Sequence, residues 1–145
     1  MRLTRFTDYA LRVLIYLAIK PNDMATIGEI AGKYRISQNH LMKVVHKLGK
    51  EGYVETVRGR QGGIRLARAP KAINIGEFVR RFEEDLHLVE CFDHKTTSCC
   101  ISGVCGLTGI LDDALDSFLK TLDAKTLADV LKTSPGIGKR LMSVK

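Results

Sequence analysis

The sequence predicts a mainly α-helical fold with a small β-hairpin wing and a long helix near its end. Three observations predict it. Apolar residues recur every three to four positions in several segments that begin at capping residues, two short β-branched runs flank a Gly-rich turn, and a late apolar stripe continues for more than four turns. With 145 residues, of which 45% are hydrophobic, the chain can bury one core and extend a helical arm.

The first predicted helix spans residues 6–18, where apolar side chains follow the helical period. Thr4 or Thr7 can cap its start, and the run Pro21-Asn22-Asp23 is predicted to end it. Asp8 lies in the first turn, where the helix dipole favours a carboxylate. On spacing alone, the role of Asp8 is local stabilisation of the helix.

Two further helices follow as a helix-turn-helix. The run Thr26-Ile27-Gly28-Glu29 has the form of a capping box and opens a short helix that reaches about Tyr34. Ser37 can cap a third helix over residues 38–51, with Gly52 beyond it as a C-terminal stop. Two short helices joined by a tight turn are typical of proteins that bind DNA in the major groove.

A hairpin comes directly after the third helix. Residues 53–57 and 64–68 are predicted strands, and the linker RGRQGG between them contains three glycines and two arginines. A helix-turn-helix followed by such a hairpin is a winged helix. The wing tip can place an arginine in a minor groove.

The basic residues are concentrated in this first half. Residues 1–68 have a net charge of +8, whereas residues 69–145 have a net charge of −1, so we expect the first half to meet double-stranded DNA. Residues at the start of a recognition helix read base edges, and basic residues contact phosphates. For Lys47 and Lys50, phosphate contact and simple solvation fit the pattern equally well. The predicted DNA-contacting residues are Ser37, Gln38, Asn39, Lys43, Arg58 and Arg60.

The second half is predicted to pack on the winged domain and to dimerise. Residues 75–82 form a linking helix, and the apolar stripe over 107–122 belongs to a helix too apolar to remain uncovered. A second copy of the chain is its natural partner, and a homodimer suits a two-fold operator. The predicted organisation is a winged helix-turn-helix domain at 1–70, a linking helix at 71–90, a cysteine loop at 91–105, a dimerisation helix with a short terminal helix at 106–131, and a mobile tail at 132–145.

All four cysteines lie within fifteen positions, at Cys91, Cys99, Cys100 and Cys105. The chain has no apolar run of about 18 residues and no secretory signal pattern, so we expect a cytoplasmic protein, without membrane contact, whose thiols are reduced. The spacing lacks the C-x2-C pairs of most structural zinc sites. It slightly favours an iron-sulfur cluster over zinc held with His87 or His94, and a redox-active dithiol is a third alternative.

The chain resembles the nitric-oxide-sensing repressors of the Rrf-type winged-helix family over about residues 1–131. The resemblance rests on stretches that occur in the same order, which are LTRFTDYALRVL, the helix-turn-helix IAGKYRIS with HLMKVVHKLGKEGYV, the wing RGRQGGIRLA, and the cysteine loop before a long helix. It implies a homodimeric transcriptional repressor that binds a two-fold operator and is released when nitric oxide reacts with an iron-sulfur cluster.

The resemblance also implies the ligands. Each subunit would hold one cluster, a [4Fe-4S] cluster with [2Fe-2S] as the alternative, through Cys91, Cys99, Cys105 and Asp8 of the partner subunit. The C-x5-C step that ends at Cys105 resembles the family pattern, which favours Cys99 over Cys100.

Alternatives remain at this stage. Related regulators of cluster supply have a histidine where this chain has Thr108, which favours the nitric oxide sensor over the cluster-supply regulator. A constitutive zinc-stabilised DNA-binding protein is the other alternative. The sequence has no catalytic triad and no phosphate-binding loop, so we do not expect an enzyme.

Overall fold

The computed structural model describes residues 2–20, 24–60, 62–93, 95 and 97–144. These residues form seven α-helices and one antiparallel hairpin, together with short 3-10 helices at Pro70–Ala72 and Glu90–Phe92. No helix among them is long and apolar enough to cross a membrane. The elements are α1 (Arg5–Ile19), α2 (Ile27–Tyr34), α3 (Gln38–Lys50), β1 (Val54–Val57), β2 (Gly63–Leu66), α4 (Ile75–Phe82), α5 (Gly106–Asp123), α6 (Leu127–Lys132) and α7 (Ile137–Ser143).

Helix α1 begins as its sequence predicts. The hydroxyl of Thr4 accepts a hydrogen bond from the backbone N–H of Thr7 at 3.3 Å, which caps the helix and leaves Thr7 buried beneath the cap. The run predicted to end the helix, residues 21–23, lies outside the described residues. Thr4 also donates to Glu83 through its backbone N–H at 2.9 Å, so the start of α1 is joined to the end of α4.

The helix-turn-helix is present, although two predicted caps differ in detail. Thr26 accepts from the N–H of Glu29 at 3.1 Å, but the Glu29 carboxylate turns away to accept hydrogen bonds from Tyr16 at 2.7 Å and from Lys20. Only half of the predicted capping box therefore forms. Ser37 occupies the N-cap of α3 and is exposed, yet its hydroxyl caps no N–H in the described chain.

The hairpin pairs Val54 with Leu66 and Val57 with Gly63, so both strands are shorter than predicted. Ile64 exchanges backbone hydrogen bonds with Ala25 at 2.8 and 3.0 Å. The base of the wing is thereby attached to the segment that precedes α2. At the tip, Gly59 has a φ of +124°, which an L-residue rarely adopts.

Helix α4 packs on the winged unit through its aromatic residues. The rings of Phe78 and Phe82 stack at 4.2 Å between centroids, and the ring of Tyr53 lies edge-on to Phe78 at 5.0 Å. All three side chains are buried. This cluster joins α4 to the segment that connects α3 with β1.

Helix α5 is anchored at its C-terminal end, and its first turns expose apolar side chains. Arg80 holds both carboxylate oxygens of Asp123 at 2.5 and 2.8 Å, so the last turn of α5 is tied to α4. Of the helix's apolar stripe only Leu119 is buried, whereas Leu107 and Ile110 are 57% and 66% exposed. Within one chain, the predicted dimerisation stripe is therefore exposed at its N-terminal end and half-buried further along the helix.

The C-terminal segment differs from the predicted mobile tail. Residues Ile137–Ser143 form α7, in which Leu141 is buried and Ile137, one turn earlier, packs beside it. The Lys33 ammonium of α2 donates to the carbonyl of Val144 at 2.5 Å. The two apolar residues at i and i+4, together with this lysine, explain why the segment folds back onto the winged unit. Lys145 is outside the described residues.

Candidate nucleic-acid interface and cysteine loop

The predicted base-reading residues lie together on one solvent-facing side of α3. The opposite side is buried in the core through Leu41, Val44, Val45 and Leu48. The amphipathic period of α3 therefore turns its N-terminal polar residues outward as a group. The exposed residues on this face include Ser37, Gln38, Asn39 and Lys43.

Gln38 lies at the junction of α2, α3 and the hairpin. Its amide is close to Gly28, where an added Cβ would come within 3.8 Å of Oε1. Gln38 also lines an open cavity of about 380 Å³ together with Thr26 and Thr56. The side chain is thus supported by α2 on one side and free to reach outward on the other.

The wing tip presents Arg58 and Arg60 to solvent, and neither makes an ion pair or a side-chain hydrogen bond with any described residue. Arg65 differs, because it pairs with Glu55 across the hairpin. Gln61, which lies between the tip glycines, is outside the described residues. The tip arginines are therefore available to an external anion, while the strand arginine is used inside the hairpin.

Lys47 is half-buried and makes contacts that were not predicted from its sequence position. Its ammonium lies 5.4 Å from the Phe6 ring centroid and 5.0 Å from that of Phe82, and it approaches the Phe82 carbonyl at 3.5 Å. Lys47 thus joins α3 to α1 and α4 through cation–π contacts. Lys50, one turn later, is exposed.

The cysteine loop connects α4 to α5. Cys91 lies in the 3-10 helix Glu90–Phe92, and Cys105 occupies the N-cap of α5. All four thiols are free, and Cys100 is exposed, whereas Cys91, Cys99 and Cys105 are half-buried. The Sγ atom of Cys91 is 3.5 Å from the Thr108 hydroxyl, which places Cys91 against the first turn of α5.

Cys91 also faces an open cavity of about 380 Å³ between the α4–α5 connection and α5. Among the residues that the structure describes, no three His, Cys, Asp or Glu side chains converge into a metal site, and His94 is outside them. The donor set nevertheless fits an iron-sulfur cluster, because three half-buried free thiols are the ligands that such clusters use. The N-terminus of α5 adds N–H groups that favour a negatively charged ligand.

Asp8 does not meet the thiols within the described chain. Arg12 holds its carboxylate instead, with Nε 3.0 Å from Oδ1 and Nη2 2.6 Å from Oδ2. The Arg12 guanidinium also lies 5.6 Å from the Tyr9 ring and 5.8 Å from the Tyr34 ring. Burial raises the pKa of Tyr34 to about 12, although the charge of Arg12 acts in the opposite direction.

Two neighbours of the predicted ligands were not predicted from the sequence. Arg12 could have been identified as the partner of Asp8, because oppositely charged residues at i, i+4 spacing meet on one helix face. The contact of Thr108 with Cys91 depends on how the loop folds back on α5, and no sequence pattern predicts it.

Comparison with known proteins gives consistent results. The Rrf2 family, described as "Iron-dependent Transcriptional regulator", matches residues 3–133. The chain is 54% identical over 142 residues to the HTH-type transcriptional regulator NsrR of Bacillus subtilis, covering 97% of each chain. It is 53% identical over 142 residues to NsrR of Bacillus licheniformis, covering 97% of this chain and 99% of that protein.

Among solved structures, the chain is similar to IscR of T. potens. The TM-score is 0.73 at 26% sequence identity, and the match covers 92% of this chain and 88% of that one. The predicted mainly α fold with a hairpin wing is confirmed. The relatives are transcriptional regulators, which confirms the prediction that this chain is not an enzyme.

Proposed function

The chain belongs to the Rrf2 family of transcriptional regulators, and from this premise we propose that it is a homodimeric repressor that nitric oxide releases from its operator. The observation that carries the proposal is that three half-buried free thiols lie in the loop that leads into α5, in a chain whose recognition surface is exposed. The sensing loop and the DNA-binding surface then belong to one polypeptide.

The DNA-binding part follows from α3 and the wing. Gln38 and Asn39 lie at the exposed start of α3, where amide side chains can donate to and accept from base edges in the major groove. Lys43 is one turn further and is proposed to contact a phosphate. Arg58 and Arg60 are proposed to reach the flanking minor groove from the wing tip.

Dimerisation is proposed through α5. Leu107 and Ile110, in the first turns of α5, are exposed apolar side chains one turn apart, and removing them from water would be favourable. A second copy would bury them and place two α3 helices for two half-sites. Sedimentation of Ile110→Lys beside the wild type tests this, because a monomeric variant is expected and an unchanged dimer would move the interface elsewhere.

The cluster is proposed to be held by Cys91, Cys99, Cys105 and Asp8 of the partner subunit, one [4Fe-4S] cluster per subunit. When bound, it supplies iron with which nitric oxide reacts. The chain's own residues would then determine the response, because Asp8 would be the single oxygen ligand in a set of thiolates, and Arg12 is placed to pair with its carboxylate once it is released. Release of that ligand would uncouple the two subunits.

The free energy by which the state of the cluster must be coupled to DNA binding is modest. A roughly 100-fold drop in operator affinity corresponds to about 2.7 kcal/mol, within the usual range for allosteric switches. Thr4 and Glu83 join the start of α1 to the end of α4, and Lys47 joins both to α3. A displacement of Asp8 in α1 therefore has a direct packing route to the recognition helix.

The test uses anaerobically purified protein and a duplex that the wild-type protein selects from a random-sequence library. Binding is followed by fluorescence anisotropy before and after addition of nitric oxide in equal amount to the cluster. We expect the protein to bind the duplex tightly before nitric oxide is added and to lose this binding afterwards. Binding that does not change with nitric oxide would reject the sensor and leave a cluster-supply regulator, and colourless protein that contains zinc and binds DNA would point to the constitutive alternative.

A further inference from the structure

Arg35 has an unusual backbone conformation at the turn between α2 and α3. Its φ is +55° and its ψ is +44°, and it is the one non-glycine residue with positive φ in the described chain. Its N–H satisfies the last carbonyls of α2, at Ala31 and Gly32. This left-handed C-cap position usually holds glycine, because a Cβ there crowds the following carbonyl.

The side chain of Arg35 makes no compensating polar contact with the part of the chain that the structure describes. It is exposed, and no described residue makes an ion pair or a hydrogen bond with its guanidinium. Lys33, two residues earlier, differs because its ammonium donates to the carbonyls of Met142 and Val144 at the end of α7. The arginine therefore occupies a strained position without an internal interaction that would explain it.

The location of this turn indicates what the guanidinium could contact. In a helix-turn-helix the first helix crosses the phosphate backbone and the second enters the major groove. Arg35 lies between them, two residues before Ser37 at the exposed start of α3. A guanidinium at that edge can make two parallel hydrogen bonds to one phosphate.

We propose that Arg35 binds a DNA backbone phosphate at the entrance of the major groove, from the turn that precedes α3. The assignment rests on the proposed DNA-binding function. It adds a phosphate contact from the turn to the contacts expected from α3 and from the wing tip. It also accounts for an arginine where glycine would give a more stable fold.

Arg35→Gly separates the two effects of this residue. Removal of the Cβ should raise the thermal unfolding midpoint by roughly 2–4 °C. Removal of the guanidinium should weaken binding to the selected duplex about 10-fold, and to an unrelated duplex by the same factor, because a phosphate contact does not depend on base sequence. The slope of log K against log salt should become shallower by about 0.9 for each phosphate that is no longer neutralised.

Two control variants accompany it. Arg35→Lys keeps the charge and should keep most of the salt slope, while Lys125→Gln removes an exposed charge from the α5–α6 connection and should leave the slope unchanged. An unchanged slope in Arg35→Gly, or an equal change in Lys125→Gln, would overturn the assignment while the wild type still binds. Failure of the wild type to bind any duplex would instead remove the proposed function, and this inference with it.

Discussion

The Arg12 guanidinium donates hydrogen bonds to both carboxylate oxygens of Asp8, one turn earlier in α1, and the shorter of the two is 2.6 Å. The two side chains are 41% and 44% exposed, so the pair adds only about 0.3–0.5 kcal/mol to folding. Asp8 is therefore nearly dispensable for the fold. We propose that its carboxylate binds one of two alternative partners, which are Arg12 within its own chain and iron held by the other subunit.

Asp8→Ala should leave the unfolding free energy of cluster-free protein within about 0.5 kcal/mol of wild type. The same variant should lose its cluster faster to a chelator and bind the selected duplex more weakly, because the link between subunits is missing. Urea unfolding, the decay of visible absorption and anisotropy measure the three properties. Asp116→Ala removes a comparable exposed i, i+4 pair on α5 and should change none of them. Wild-type cluster stability in Asp8→Ala would exclude the cross-subunit ligand.

The adjacent thiols of Cys99 and Cys100 are distinguished by burial, since Cys99 is half-buried and Cys100 is exposed. We expect Cys100→Ala to retain the visible absorption of the cluster after anaerobic reconstitution and Cys99→Ala to lose it. Iron and sulfide content should follow the absorption. The reverse result would move the ligand by one residue.

Arg60→Ala should weaken binding most on duplexes with A·T-rich flanks, where a narrow minor groove attracts an arginine from the wing. Anisotropy titrations on paired duplexes that differ only in their flanks measure this. Arg65→Ala serves as the control, because Arg65 belongs to the same hairpin but pairs with Glu55. Equal weakening of Arg60→Ala binding on both flanks would make Arg60 a phosphate contact instead.

Local signals made much of the fold predictable from sequence. Thr4 and Thr26 accept the capping hydrogen bonds that their positions predict, because a cap depends on residues three apart. The apolar period placed α1, α3 and α5 within one or two residues of their observed bounds. The helix over 137–143 was missed, since its stability comes from burial of Leu141 and from a lysine of α2 more than one hundred residues away.

The candidate site was less predictable. The four clustered cysteines can be recognised from the sequence alone. The exposed start of α3 follows from the helical period of its apolar residues. The interactions of Lys47 with Phe6 and Phe82 join three helices, and no local pattern encodes them. The strain at Arg35 depends on how the turn closes α2. Such tertiary interactions decide whether a charged residue faces DNA or supports the fold.

Lys43 and Lys47 lie one turn apart on α3, but their replacement by methionine should affect different properties, DNA binding for Lys43 and stability for Lys47. Lys43 is exposed, so Lys43→Met should reduce the salt slope of DNA binding by about 0.9 for each phosphate left without its lysine, or about 1.8 for the dimer, and stability should stay nearly unchanged. Lys47→Met should lower the unfolding free energy by about 1 kcal/mol, because methionine cannot make the cation–π interactions, and leave the salt slope as in wild type. A reduced slope in Lys47→Met would return Lys47 to the DNA interface.

Glu29 provides a prediction that depends on pH. Burial alone would raise the pKa of its carboxyl, but hydrogen bonds from Lys20 and Tyr16 outweigh burial and lower the pKa below the usual 4.5. The folded state therefore binds the proton less readily than the unfolded state does. Its contribution to stability is complete above about pH 4.5 and is lost as the pH falls through the lower, folded value.

Glu29→Gln should accordingly lower the unfolding free energy by about 1–2 kcal/mol near pH 7, where the wild-type carboxylate accepts charge-assisted hydrogen bonds. Urea unfolding of both proteins between about pH 7 and pH 3 should show this difference shrinking as the wild type becomes protonated. Glu55→Gln, at the exposed pair with Arg65, should differ little from wild type near neutral pH. A difference for Glu29→Gln that stays constant over this range would mean that packing around α2, rather than the charge of Glu29, stabilises the junction with α1.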